Sequence, residues 1–293
     1  MKRLFFFLAL GCASLAYAQL TPLKGSATKA EEPVGEPTQE MIDEECTRVA
    51  KKCGFSVGYT LHREMSGNVL APEEVKKYLP QFFAAMDIFP VRFLRETQLH
   101  TLVLCRNLTT SNGGRAGGVA GGGKICLGVP FYSQVIYHEM FHIADNLGHN
   151  EDWTKLNHRQ FVYGGSALKP VELDKKTQIK ADAAKSSADI RKDFVSDYAM
   201  TSEVEDRAET FAVMVANPKR FAALAKESPV LEKKALAVKK IVREFAPSMN
   251  KDFWTFIADS DDASRTEDFA KRAKINDQRK KDKKPLLNSG YTK

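Results

Sequence analysis

Residues 138–142 read His-Glu-Met-Phe-His, and this spacing constrains the chain more than any other feature. On a helix, four residues are slightly more than one turn, so both imidazoles project from one face. The flanks, Phe131 to Tyr137 and Ile143 to Leu147, are apolar around most of a helical circumference, which predicts a buried helix with a stop near Gly148. Two histidines and a glutamate inside such a helix are costly unless something satisfies them. A zinc ion held by His138 and His142 would do so. Glu139 between them would then act as general base on zinc-bound water.

A catalytic zinc site takes a third protein ligand. A further histidine six residues after His142 is absent, because Gly148 stands there and His149 comes one residue late. About twenty residues on, where an acidic helix would be needed, the chain reads Phe161-Val162-Tyr163-Gly164-Gly165. The better candidate begins near Thr201 or Ser202 and stops at Asn217-Pro218. Val204, Ala208, Phe211, Ala212 and Val215 fall there on one helical stripe, with Glu205 and Glu209 on its edge. Alone, such a pair reads as a solvated acidic face balanced by Arg207. With the upstream motif, Glu205 becomes the expected third ligand. Glu209 is then expected to accept a hydrogen bond from the far nitrogen of a ligand histidine.

Tyr198, seven residues before Glu205, and the run Glu205-x-x-Ala208-Glu209-x-Phe211 resemble the zinc site of gluzincin peptidases related to anthrax lethal factor. The resemblance spans about Lys124 to Asn217. It implies a zincin-like metallopeptidase, with Zn2+ on His138, His142 and Glu205, and with Tyr198 donating its hydroxyl to the oxyanion formed on the scissile carbonyl. The implied fold class is α+β: a small, mostly antiparallel sheet beside the H-E-x-x-H helix, and a helical C-terminal lobe.

Leu99–Cys105 and Lys124–Gly128 read as strands around a glycine-rich loop, Asn112 to Gly123. Either this is a plain hairpin loop or it supplies an edge strand to which an extended substrate can add. Gly118 to Lys124 imitates a phosphate-binding loop, but Ile125 stands where a magnesium-binding hydroxyl is needed, so nucleotide binding is rejected. Between Asn217 and Asp261 the pattern is helical, with Phe221, Leu224, Leu231, Ala235, Leu236, Val238 and Ile241 as packing positions.

The 293 residues, 43% hydrophobic and 28% charged, suit one catalytic domain with appendages. Residues 1–18 read as a secretory signal: Met1-Lys2-Arg3, an apolar run, and Ala16-Tyr17-Ala18 before Gln19. A lipoprotein site at Cys12 is the lesser reading. Residues 19–40 read as a disordered linker, 41–260 as the catalytic domain, and 261–293 as a basic tail. The expected location is therefore secreted or periplasmic. Four cysteines remain past the signal. Cys46 and Cys53 lie too far apart on one helix to bridge, whereas Cys105 and Cys126 flank the glycine loop and could staple its strands. A net charge of +7 favours anionic partners: a protein or glycoprotein substrate, such as mucin, rather than nucleic acid. The expected activity is endopeptidase, on extracellular or envelope proteins. A zinc amidohydrolase of envelope polymer, and a non-catalytic zinc-binding protein with His149 or His158 as fourth ligand, stay open. No transmembrane segment is expected.

Overall fold

The computed structural model describes residues 35–111, 113–145, 153–159, 161–164 and 187–288. The expected signal, the Cys12 site, Gly148 and His149 lie outside them. In chain order the elements are α1 (Gln39–Cys53), β1 (Ser56–Val57), β2 (Met65–Val69), α2 (Pro72–Val75), α3 (Leu79–Asp87), α4 (Val91–Glu96), β3 (Thr101–Thr110), β4 (Gly118–Gly121), β5 (Lys124–Gly128) and α5 (Ser133–Asp145). After a 3-10 turn at Trp153–Leu156 come α6 (Ser187–Arg191), a second 3-10 turn at Tyr198–Met200, α7 (Glu203–Ala216), α8 (Pro218–Glu227), α9 (Pro229–Phe245), α10 (Lys251–Ala258) and α11 (Asp262–Lys281).

The fold is α+β, but its sheet is mixed rather than mostly antiparallel. β3 pairs in parallel with β1 and β5, while β2 against β3 and β4 against β5 are antiparallel. The parallel β3–β5 pairing follows from burial: Leu102, Val103, Leu104, Ile125, Cys126 and Leu127 are all fully enclosed, a continuous apolar run in each strand. The glycine loop is a strand and a tight hairpin. Gly121 pairs with Lys124, and Gly122 and Gly123 turn the chain with φ of 54° and 79°, a two-residue turn that side chains resist. β4 ends the sheet order, so its outer edge is unpaired among the described strands.

α5 and α7 lie against one another around Phe141 and Phe211, whose ring centroids are 5.2 Å apart. Arg207 of α7 fastens the pair, reaching both oxygens of Asp145 at 2.9–3.0 Å and Glu203 at 2.5 Å. Ser202 caps α7 by accepting from the Glu205 amide, and Asn217 closes it, as the sequence pattern predicts. Two expected packing positions are displaced outward: Val204 is 43% and Leu236 is 68% exposed. On α9 the buried stripe passes through Lys234 instead. Its ammonium meets Asp206 at 2.7 Å, stands 3.7 Å from the Phe194 ring centroid and donates to the Asp193 carbonyl.

The segment expected as a basic tail from residue 261 forms α11. It opens with a capping box at Asp261 and Ser264 and buries Phe269 and Ala273. Arg272 and Asn276 reach across to Glu45 of α1, and Arg272 also to Asp87. The apolar stripe through Phe269 and Ala273 docks on α1 and α3, and Arg265 and Arg272 are drawn into that buried side while the other basic residues stay exposed or half-exposed. No disulfide forms among Cys46, Cys53, Cys105 and Cys126; all four are buried thiols. The expected Cys105–Cys126 staple fails on register. Cys126 pairs with Val103 and Cys105 with Gly128, so the two cysteines are two residues out of step. Their Cα atoms are then about 8 Å apart, beyond what a disulfide spans. No described helix is long and apolar enough to cross a membrane.

Candidate metal centre

His138 and His142, one turn apart on α5, present their Nε2 atoms 2.9 Å from each other. Glu205, on the first turn of α7, brings Oε2 to 3.0 Å from His138 Nε2 and 3.5 Å from His142 Nε2. Three lone-pair atoms on two helices thus face one point. Ligands about 2.05 Å from a tetrahedral zinc stand about 3.3 Å apart, and the three separations bracket that value. Glu205 Oε2 is buried and has no hydrogen-bond donor of its own, as expected for an atom whose partner is an ion. Among the described residues, this is the one group of histidine, cysteine and carboxylate side chains close enough to share a metal. His158 is not part of it.

The surroundings tune the ligands. Glu209, one turn beyond Glu205, meets His138 Nδ1 at 2.9 Å. That contact leaves Nε2 as the lone-pair nitrogen of the neutral ring. Ser196 completes the chain: its hydroxyl donates to Glu209 Oε2 at 2.7 Å and accepts from the Ala199 amide at 3.1 Å. It therefore ties the turn that carries Tyr198 to the residue that orients His138. Burial alone would lower the His138 pKa, but Glu205 and Glu209 outweigh it and hold the imidazole at about 9. Burial likewise opposes the charge of Glu205, yet contacts with His138 and His142 hold that carboxyl far below its usual range. Such a surplus of negative charge around two imidazoles suits a divalent cation.

Glu139 lies beside this cluster, nearly enclosed, and burial pushes its pKa up against the pull of His138 and His142. The backbone of Ala120 on β4 lies beside its carboxylate and favours the charged form. Gly118 permits the approach: a Cβ there would stand 2.9 Å from both Glu139 Cγ and Val135 Cγ1. Tyr198 is 52% exposed, with its ring 5.9 Å from that of His138 and its hydroxyl within the influence of Glu205. Burial, followed by Glu205, raises its pKa to about 12, so the hydroxyl remains a donor. All these groups line one open cleft of about 730 Å³, with β4 along its side.

Residues 127–270 match a protein family described as "Putative zinc-binding metallo-peptidase". The match covers a little under half of the chain and includes all three metal-facing side chains, so the part carrying the site is similar to zinc metallopeptidases. The chain is also similar to a crystal structure from Bacteroides caccae with the same description. There the TM-score is 0.47 at 16% identity, over 80% of this chain and 96% of that one. No curated protein matches. The matched family supports the zinc metallopeptidase reading and adds nothing to the likeness to lethal factor, which rests on the motif residues alone.

The structure brings together His138, Glu139, His142, Tyr198, Glu205 and Glu209; of the two other histidines weighed from sequence, His158 is not in the group and His149 lies outside the described residues. Sequence reading missed Ser196, Gly118 and a network one residue beyond Glu205. Asp206 is fully buried and accepts from Trp153 Nε1 at 2.9 Å, from the Tyr163 hydroxyl at 2.6 Å and from Lys234. Trp153 is one of two tryptophans, isolated in a polar stretch, and was the available signal.

Proposed function

We propose that the protein is an exported zinc-dependent endopeptidase of zincin-like fold that cleaves proteins outside the cytoplasm. The carrying observation is the convergence of His138 Nε2, His142 Nε2 and Glu205 Oε2 beside Glu139. The open cleft leaves room for water and a peptide, which favours a catalytic over a closed structural centre. The export signal read in residues 1–18 supports action on extracellular or envelope proteins, glycoproteins included.

Zinc, when bound, supplies the Lewis acidity that polarises water and the substrate carbonyl. Glu139, packed beside Gly118 of β4, takes a proton from the attacking water. It then delivers that proton to the departing amine. Tyr198 donates to the oxygen of the attacked carbonyl as negative charge develops there. His138 is kept in register by Glu209, and Glu209 by Ser196.

Glu139→Gln tests the reading. It removes the base and none of the three metal-facing atoms. Zinc content measured by mass spectrometry should stay near one equivalent, while peptide hydrolysis falls at least about a hundredfold. Full zinc occupancy with unchanged hydrolysis would refute this function.

A further inference from the structure

The cleft is electrically lopsided. Glu139, Glu205 and Glu209 cluster on its α5–α7 side, while Arg115 is the one lysine or arginine that lines it. Arg115 is exposed, and no described carboxylate pairs with it. Arg106, on the neighbouring strand, is by contrast locked to Glu74 at 2.7 Å. The backbone that carries Arg115 is firmly held: it bridges Thr109, the Ala116 amide donates to Leu108 at 3.0 Å, and the Gly114 carbonyl accepts from Thr110 at 2.8 Å. A planar, permanently charged fork on an anchored main chain, facing a cleft with its donors unspent, is suited to a carboxylate.

Its place along the cleft sets what it can reach. Gly118 backs onto Glu139, and Arg115 lies three residues earlier, within about 10 Å along the chain and across a bend at Gly117. A peptide that adds to the free edge of β4 in the more stable antiparallel sense runs with its carboxyl end toward Arg115.

We propose that Arg115 selects peptides carrying an aspartate or glutamate two or three residues to the carboxyl-terminal side of the cleaved bond. This rests on the peptidase reading above and deepens it by naming a substrate class.

The test uses the zinc-loaded full chain and pairs of internally quenched peptides identical except for Glu, Gln or Lys at those two positions. Wild type should cleave the Glu peptide with a kcat/KM about fivefold above the Gln peptide, the upper range for an exposed ion pair. Half-molar salt should shrink the ratio. Arg115→Gln should bring it near one, and Arg115→Glu should invert it in favour of Lys, with unchanged melting temperature in both. Equal cleavage of the Glu and Gln peptides by wild type would overturn the assignment and leave the peptidase standing, as would an acid preference that survives in Arg115→Glu. Failure of wild type to cleave any peptide at full zinc occupancy would overturn both.

Discussion

Tyr198→Phe isolates one hydroxyl. The ring is about half exposed and lines the cleft rather than the core. Phenylalanine therefore keeps every packing contact, and the stability change should stay within about 0.5 kcal/mol. His138, His142 and Glu205 are untouched, so zinc content should not move. The rate should. Loss of one oxyanion donor costs about 10²–10³ in kcat, or roughly 2.7–4 kcal/mol of transition-state stabilisation. Because the donor acts only as charge develops, kcat and kcat/KM should fall together with KM nearly constant. The Tyr198 pKa of about 12 keeps the hydroxyl protonated at neutral pH, so the ratio of wild-type to variant rates should be flat from about pH 6 to 9. Steady-state kinetics on a fluorogenic peptide, zinc analysis and a thermal melt suffice. The reasoning is refuted if activity falls only in proportion to lost zinc, or by less than about threefold.

Five other substitutions probe the site and the helix docked beside α1. Glu205→Ala should strip zinc, and Glu209→Ala should weaken its binding about ten- to a hundredfold by freeing His138. Glu203→Ala, which removes only one contact of Arg207, should bind zinc normally, and chelator competition would expose any other ranking. Gly118→Val should leave zinc in place but lower kcat at least about tenfold, because a side chain cannot fit against Glu139 without displacing the base from its productive geometry; wild-type turnover with a stable fold would show that β4 can yield. Glu45→Gln breaks the buried ion cluster at α11 and should cost about 3–5 kcal/mol at neutral pH. Burial opposes the Glu45 charge, but Arg48, Arg272 and Asn276 outweigh it and lower the pKa from 4.5. Its contribution to stability is therefore full above pH 4.5 and is lost as pH falls through the lowered value. Denaturant titrations should show the gap between wild type and variant narrowing only in acid, and a gap independent of pH would count against that account.

The site was legible where its geometry is local. The turn that aligns His138 and His142 is a property of helical repeat alone. Ser202, the stripe of Ala208, Phe211 and Val215, and Asn217 bounded α7 well enough to leave Glu205 and Glu209 as the carboxylates to consider. The strands read at 99–105 and 124–128 showed in their strand-forming residues, although the first begins at Thr101 and runs on to Thr110. None of this could say which carboxylate oxygen meets which nitrogen, because α5 and α7 are separated by some sixty residues and only their packing sets the distance. Nor could periodicity reveal that the stripe of α9 runs through Lys234 rather than Leu236, since a buried lysine is tolerable only where Asp206 waits on another helix. The glycines between residues 112 and 123 read equally as a plain loop or an edge strand until β5 supplied a partner and α5 demanded a strand without side chains beside Glu139. Parallel pairing put Cys105 and Cys126 out of reach of each other, and α11 turned a basic sequence into a docked helix because α1 and α3 offered Glu45 and Asp87. Spacing along a chain fixes what one helix presents. What faces it is decided by long-range packing, whose partners no local pattern records.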